Sequence, residues 1–208
     1  MKIAFVADFF ANQVLGGGEL NNEELIQLLS DDGHDVVKRN SHLLTRKFIK
    51  EHSDAKFIVA NFMNLSKECI GALYDKKYII YEHDHKYLIN RNPAEFKNFI
   101  APKDKLVNIG FYKKAAAVIC QSQFHKDIIK SNLGLDNLIS IGGNLWSTES
   151  LDLMSNMTEA EKTDTYAVLD SEIEHKNTQE TIMYCEYKNL DYKLVKSAMV
   201  FSKGLRIN

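Results

Sequence analysis

The chain has 208 residues, 45% of them apolar and 26% charged, a balance that suits one to one and a half globular domains with a sizeable buried core. Its formal net charge is -2, with both signs mixed along the whole length. No one-sided basic field can displace counterions from phosphates, so no nucleic acid is expected among the partners.

Lys2 to Ala7 is a short β-rich apolar run of the kind that forms a buried central strand. A loop, Asp8 to Gly17, leads into a helix over Glu19 to Ser30, where Leu20, Leu25, Ile26, Leu28 and Leu29 mark one face and Gly33 marks the stop. Asp35 to Lys38 and Phe57 to Ala60 read as strands, with helices over Leu43 to Glu51 and Leu65 to Tyr74. Lys77 to Tyr81 is a fourth strand that runs directly into Glu82-His83-Asp84-His85. A polar stretch holding both prolines, Pro93 and Pro102, reads as a long loop before a helix over Asp104 to Lys114. Ala116 to Cys120 is a fifth strand, Ser122 an N-cap, Gln123 to Asn132 a helix, and Leu138 to Ile141 a sixth strand. Strands and helices in this alternation predict an α/β fold, a doubly wound parallel Rossmann-like sheet with helices on both faces.

Composition changes after Trp146. Residues 147–163 read as a linker carrying a short helix, Thr148 to Met154. Residues 164–208 then restart with a strand, Thr165 to Leu169, a helix over Asn177 to Lys188 and a strand, Tyr192 to Val195. This incomplete second Rossmann-like βαβ unit is too short to close a domain of its own.

The cysteines Cys69, Cys120 and Cys185 are widely spaced and form no CxxC metal knuckle or redox pair; Cys120 reads as a small buried hydrophobe. The first residues turn polar before a signal-peptide core can form, and no apolar stretch reaches the roughly 20 residues that span a bilayer. The expectation is a cytoplasmic protein without an integral membrane segment.

Ligands of open parallel sheets gather at the carboxyl ends of strands, and four clusters fall there. Gly16-Gly17-Gly18-Glu19 precedes a helix, where exposed backbone amides favour an anion. It is neither GxGxxG nor a P-loop, which argues against a dinucleotide-dependent oxidoreductase; a flexible loop ending in a helix cap is the plainer alternative. His83, Asp84 and His85 supply a proton acceptor with carboxylate neighbours, or else a solvated charged loop. Two histidines at this spacing bind metal only if distant ligands converge, and no metal is expected. Ser122 is an N-cap, while His125 and Lys126 oppose the helix dipole, a conflict that can mark a ligand site or a solvated surface pair. Gly142-Gly143-Asn144-Leu145-Trp146 closes the first domain, with Trp146 either packed against the linker or lining a cleft.

Taken in order, these features resemble glycosyltransferase family four, a GT-B family. Met-Lys-Ile-Ala-Phe-Val-Ala-Asp with the delayed Gly-Gly-Gly-Glu is similar to the start of its N-terminal acceptor-side domain, Tyr81 to His85 to its histidine-containing loop, and Cys-Gln-Ser-Gln-Phe-His to its strand followed by Ser-x-x-x-(His/Lys). Tyr166 to Lys176 is similar to the first strand and loop of the donor-side domain. The resemblance implies transfer of a sugar from a nucleotide-diphosphate donor to a glycan or other hydroxyl acceptor, with retention at the anomeric centre and no further cofactor. It implies His83 or Asp84 as the catalytic group, His83 favoured for its pKa. Gly16, Gly17, Gly18, Glu19, His85, Ser122, His125 and Lys176 would then hold the donor. The glutamate pair that grips the nucleotide in the family does not occur before Asn208, and Ala198 to Asn208 does not resemble the family's continuation. A truncated donor side is therefore expected, and a non-catalytic glycan-binding or assembly module that needs a separate donor domain is the alternative function.

Overall fold

β1 (Lys2–Ala7) is central because every residue from Ile3 onward is buried, apolar on both faces. In the computed structural model, which describes residues 1–172 and 174–196, it pairs in parallel with β2 (Asp35–Asn40) on one side and β3 (Lys56–Val59) on the other. β4 (Tyr78–Glu82), β5 (Ala117–Cys120) and β6 (Leu138–Ser140) continue the sheet, all parallel, in the order β2-β1-β3-β4-β5-β6. This is the expected Rossmann-like sheet, and its order reverses between β1 and β3. Connections leave to opposite faces at that point, so a crevice opens at the strands' carboxyl ends.

α1 (Gly17–Asp31) covers one face, placing Ile26 against Ile3, Phe5, Ile58 and Tyr81. α2 (Arg46–Glu51), α3 (Lys67–Leu73), α4 (Ile109–Lys114) and α5 (Gln123–Leu133) cover the other, where Ile49, Leu73, Phe111 and Ile129 meet Val6, Phe57 and Ile80. Thr45, Ser66 and Ser122 cap α2, α3 and α5, each accepting the backbone N–H of the third residue of its helix.

Three differences from the sequence-based expectation have physical causes. α1 starts at Gly17, so two glycines lie inside its first turn and not in the preceding loop. Ser41–Leu43 form a separate 3-10 turn because Thr45 caps a new helix at Arg46. The helix expected over 104–114 shrinks to α4. Leu106 bridges Leu88, Val107 N–H donates to the Tyr87 carbonyl at 2.7 Å, and Asn108 turns left-handed at φ 55°. Tertiary pairing thus holds 106–107 extended against their local helical tendency.

The chain divides into two compact units, Met1–Trp146 and Ser147–Asn208. In the second, α6 (Thr148–Thr158) runs past the expected Met154, followed by β7 (Thr165–Leu169), α7 (Thr178–Tyr187) and β8 (Asp191–Val195). β7 and β8 pair in parallel, a βαβ unit whose buried described residues are Val168, Thr178 and Cys185. The stretch Ala198 to Asn208 lies outside the described residues. Among the described residues no helix is long and apolar enough to cross a membrane. All three cysteines are free and buried.

Candidate functional site

A cavity of about 500 Å³ opens at the carboxyl ends of β1, β3 and β4, lined among others by Asp8, Gly18, Glu19, Asn61, His83, Asp84 and Arg91. Asp8 follows β1 and is 7% exposed; its carboxylate accepts the backbone N–H groups of Met63 (3.0 Å) and Asn64 (3.1 Å) and the Ser41 hydroxyl. One side chain therefore ties together the loops after β1, β2 and β3.

The start of α1 forms one wall. Its N-cap, Gly16, offers no side chain to the first turn. The Glu19 carboxylate folds back over Gly16, where a Cβ would overlap it, and accepts from Asn61 Nδ2 at 3.3 Å. A Cβ on Gly18 would meet the His83 ring at 3.7 Å, so glycine there keeps the helix end open toward the cavity.

His83 has no free nitrogen. Nε2 donates to Asn22 Oδ1 at 2.6 Å, Nδ1 accepts from Gln121 Nε2 at 2.8 Å, and the ring stands edge-on to Tyr81. Burial first, and then the Lys86 charge, push its pKa down to about 3. Asn22, from α1, is fully buried, and Asn21 beside it accepts the Tyr81 hydroxyl. His83 is thus a buried, neutral imidazole with Asn22 and Gln121 at its two ring nitrogens.

Asp84 is different. Burial raises its pKa, but Lys86 and Arg91 outweigh that and hold the carboxylate below its usual range. Lys86 Nζ ion-pairs with Asp84 Oδ1 at 2.6 Å and with Glu82 Oε1 at 3.0 Å, and Arg91 Nη1 donates to Asp84 Oδ2 at 3.2 Å. Glu82 is fully buried; it also accepts the Tyr112 hydroxyl and the Asp84 backbone N–H (3.1 Å). Burial pushes Glu82 up, while the two carboxylates hold Lys86 protonated against its own burial.

His85 and His125 meet away from the cavity lining, with ring centroids 4.6 Å apart and His85 Nδ1 3.1 Å from the Tyr87 hydroxyl. Burial depresses each to about 4, so His125 is neutral and its apparent conflict with the α5 dipole disappears. Its Nε2 is buried without a hydrogen-bond partner among the described residues. Ser122 is occupied as the α5 cap, accepting His125 N–H at 3.1 Å. Trp146 is 40% exposed at the end of the first unit. Lys176 closes a 3-10 turn, Glu174–Lys176, in the second unit. A cavity of about 390 Å³ there is lined by Asp170, Ser171, Glu172, Glu174, Asn177, Thr178 and Gln179, and Lys176 is not among these. Among the described residues no group of three or more His, Cys, Asp or Glu side chains is arranged to hold a metal ion.

From the expected set the cavity lining gathers Gly18, Glu19, His83 and Asp84; Gly16, Gly17, Ser122, His85 and His125 of the same unit are not among its lining residues, and Lys176 belongs to the second unit. Sequence reasoning missed Asn21, Asn22, Asn61, Lys86 and Arg91, and gave no role to Glu82 and Gln121 although both stand in the clusters it marked. Two signals for them exist. Asn21 and Asn22 occupy the same helical stripe as Leu25, Ile26 and Leu29, and Glu82 continues the inward face of Tyr78 and Ile80.

No protein-family model and no curated protein matches the chain. Among solved structures it is similar to an alpha-glucosyltransferase in complex with UDP and a 13-mer DNA containing an HMU base, with a TM-score of 0.52, 10% identity and coverage of 89% of this chain and 53% of that one. It is also similar to an alpha-glucosyltransferase in complex with UDP and a 13-mer DNA containing a central A:G mismatch, with a TM-score of 0.53, 8% identity and coverage of 93% and 55%. The likeness is one of fold, and it supports the GT-B assignment without confirming family four. The chain spans about half the length of these structures.

The exclusion of nucleic acid does not stand. Both similar structures hold DNA together with UDP. The physical error lies in averaging: a net charge of -2 describes the whole chain and not the local field of one face.

Proposed function

We propose that this chain serves transfer of a sugar from a nucleotide-diphosphate donor to an acceptor hydroxyl bound in the cavity over the β1/β3 switch point, in the manner of family four. The single observation that carries this reading is the convergence of Gly18, Glu19, Asn61, His83, Asp84 and Arg91 on one cavity at the strands' carboxyl ends. The fold likeness to UDP-bound glucosyltransferases supports it.

Asp84 takes the central role. An ionised carboxylate accepts the acceptor's O–H and offsets positive charge as the donor sugar becomes oxocarbenium-like. Its depressed pKa suits orientation and charge stabilisation better than full deprotonation. The acceptor proton therefore passes to the oxygen of the departing diphosphate as the bond from that oxygen to the sugar breaks and the acceptor oxygen bonds to the sugar. His83, fixed by Asn22 and Gln121, shapes the wall beside it. Charge on the departing diphosphate is met by the uncapped amides at the start of α1 and by cations, with no metal required. On this reading 1–146 is the acceptor-side domain, 147–163 the linker and 164–208 the start of the donor side, where Lys176 is the proposed phosphate cation.

For the acceptor, a hydroxyl carried on nucleic acid is supported by the similar structures and by one surface observation. The segment between β4 and α4 exposes Arg91, Lys97, Lys103 and Lys105, and Phe99 meets Phe124 edge-on at 5.4 Å. Cations with exposed rings suit phosphates and bases. A second reading, a non-catalytic binding or assembly module working with a separate donor-holding chain, is favoured by the 53% and 55% coverage of the similar structures.

The test is incubation of the purified chain with a panel of nucleotide sugars and three acceptor sets: duplex DNA with and without a hydroxymethyl base, and glycans. Mass spectrometry reads the added sugar. Transfer that disappears in Asp84→Asn supports the enzyme reading. Absence of nucleotide-sugar binding by calorimetry at millimolar concentration overturns it for this chain.

A further inference from the structure

Lys86 is the most deeply buried cation of the first unit, 1% exposed, and a buried lysine needs a specific reason to be there. Glu82 supplies one counter-charge at 3.0 Å, which by itself compensates the ammonium. Lys86 nevertheless continues to Asp84, at 2.6 Å, where the carboxylate is 39% exposed and lines the cavity. The anchor behind Lys86 is rigid. Glu82 is the last residue of β4 and is gripped by Tyr112 from α4, while Asn108 Nδ2 donates to the Lys86 carbonyl at 2.9 Å.

Resting on the transferase reading above, we propose that Lys86 is a positioning residue: through the Glu82–Tyr112 anchor it fixes the Asp84 carboxylate facing the cavity. The two oxygens of Asp84 are then held unequally. Lys86 holds Oδ1 from inside the protein, whereas Arg91, 49% exposed and left-handed at φ 56°, reaches Oδ2 from the solvent side. Oδ2 is the oxygen that an incoming hydroxyl can share or take over from Arg91, because an exposed ion pair contributes little and exchanges readily. Oδ1 stays fixed throughout. A catalytic group held within a fraction of an ångström by a buried partner is the arrangement that productive geometry requires. The other titratable groups within electrostatic reach of Asp84 are Glu82, His83, His85, His125 and Tyr112, and none supplies a competing cation, since burial holds all three histidines neutral.

The experiment uses the full chain and two readouts. In the wild type, the expected result of NMR titration is an Asp84 carboxyl below 3.8 and a slowly exchanging Lys86 ammonium signal. The variant Lys86→Met with Glu82→Gln removes the buried pair together while keeping a partner for Tyr112, so no lone charge is left inside. In that variant the Asp84 midpoint rises above the wild-type value, kcat falls about 10- to 100-fold, and KM stays within about threefold. A folded double variant whose Asp84 midpoint and kcat are unchanged overturns the proposal. If that variant does not fold, the wild type decides: an Asp84 midpoint at or above 3.8, or a rapidly exchanging Lys86 ammonium, overturns it equally. A wild type with both NMR signatures but no transfer overturns the transferase reading instead, so the two failures are distinguishable.

Discussion

Both units contain the same device, a parallel strand–helix–strand, in different surroundings. In the first, β1 has a strand on each side and helices on both faces, and its five residues from Ile3 to Ala7 are at most 4% exposed. In the second, β7 and β8 have only each other among the described strands. Tyr166 is 53% exposed, Leu194 51%, and α7 leaves Met183, Tyr184 and Tyr187 at 65%, 58% and 78%. The strand propensities are alike; what differs is how many layers cover them. Parallel strands contribute fully to stability only when both faces are buried. The first unit can therefore hold charged groups in fixed geometry inside its core, and the second offers no comparable interior among its described residues.

The largest effect expected from breaking this contrast is on activity. Asp84→Asn keeps the shape of the cavity but removes the charge, and transfer falls by roughly a hundredfold or more, read as kcat on the best nucleotide sugar. The same substitution at Asp170, in the cavity of the second unit, gives a smaller loss if the first unit carries the chemistry; an equal loss would move the site.

Next comes stability. Glu82→Ala leaves the buried Tyr112 hydroxyl without its acceptor and the Lys86 ammonium with one of its two counter-charges, and costs about 3 kcal/mol in urea unfolding. Tyr187→Ala, on the exposed face of α7, changes stability by no more than about 0.5 kcal/mol.

Acid sharpens the same difference. His83, His85 and His125 have folded pKa values of about 3, 4 and 4 against an ordinary 6.5. The unfolded chain therefore binds protons that the folded one refuses, and stability is lost as pH falls from 6.5 toward 4. Asp84, depressed below 3.8, adds a further loss only as pH falls through its own folded value. Urea midpoints measured at pH 7.5, 6 and 5 should fall in that order, by an amount on the order of a few kcal/mol in total. Replacing His125 by Asn should flatten part of the slope, whereas changes in α7 should leave it alone.

A smaller loss than that at Glu82 concerns caps. Ser66→Ala removes the bond to Cys69 N–H and costs about 1 kcal/mol.

Periodicity made the architecture legible: six strands, their alternation with helices and the restart after Trp146 all follow from local apolar patterns, because burial on one face or two writes itself into spacing. Boundaries were less legible where tertiary bonds overrode local tendency, as when Tyr87 and Leu88 draw Leu106 and Val107 out of a helix. The site was half legible. Glu82-His83-Asp84-His85 stood out as ionisable residues after a buried strand, but nothing local says which of them face the cavity.

The sequence by itself determined the sheet, the ends at which ligands gather, and the run of charged residues after β4. Only the tertiary structure decided their roles. It sent His85 to His125 and left Asp84 in the cavity. It closed both nitrogens of His83 with Asn22, 61 positions earlier, and Gln121, 38 positions later. It buried Lys86 between two carboxylates of which one comes from the strand and one from the loop. The reason is that a side chain's protonation and reach depend on the solvent it loses and the partners it gains, and both are set by residues far away along the chain.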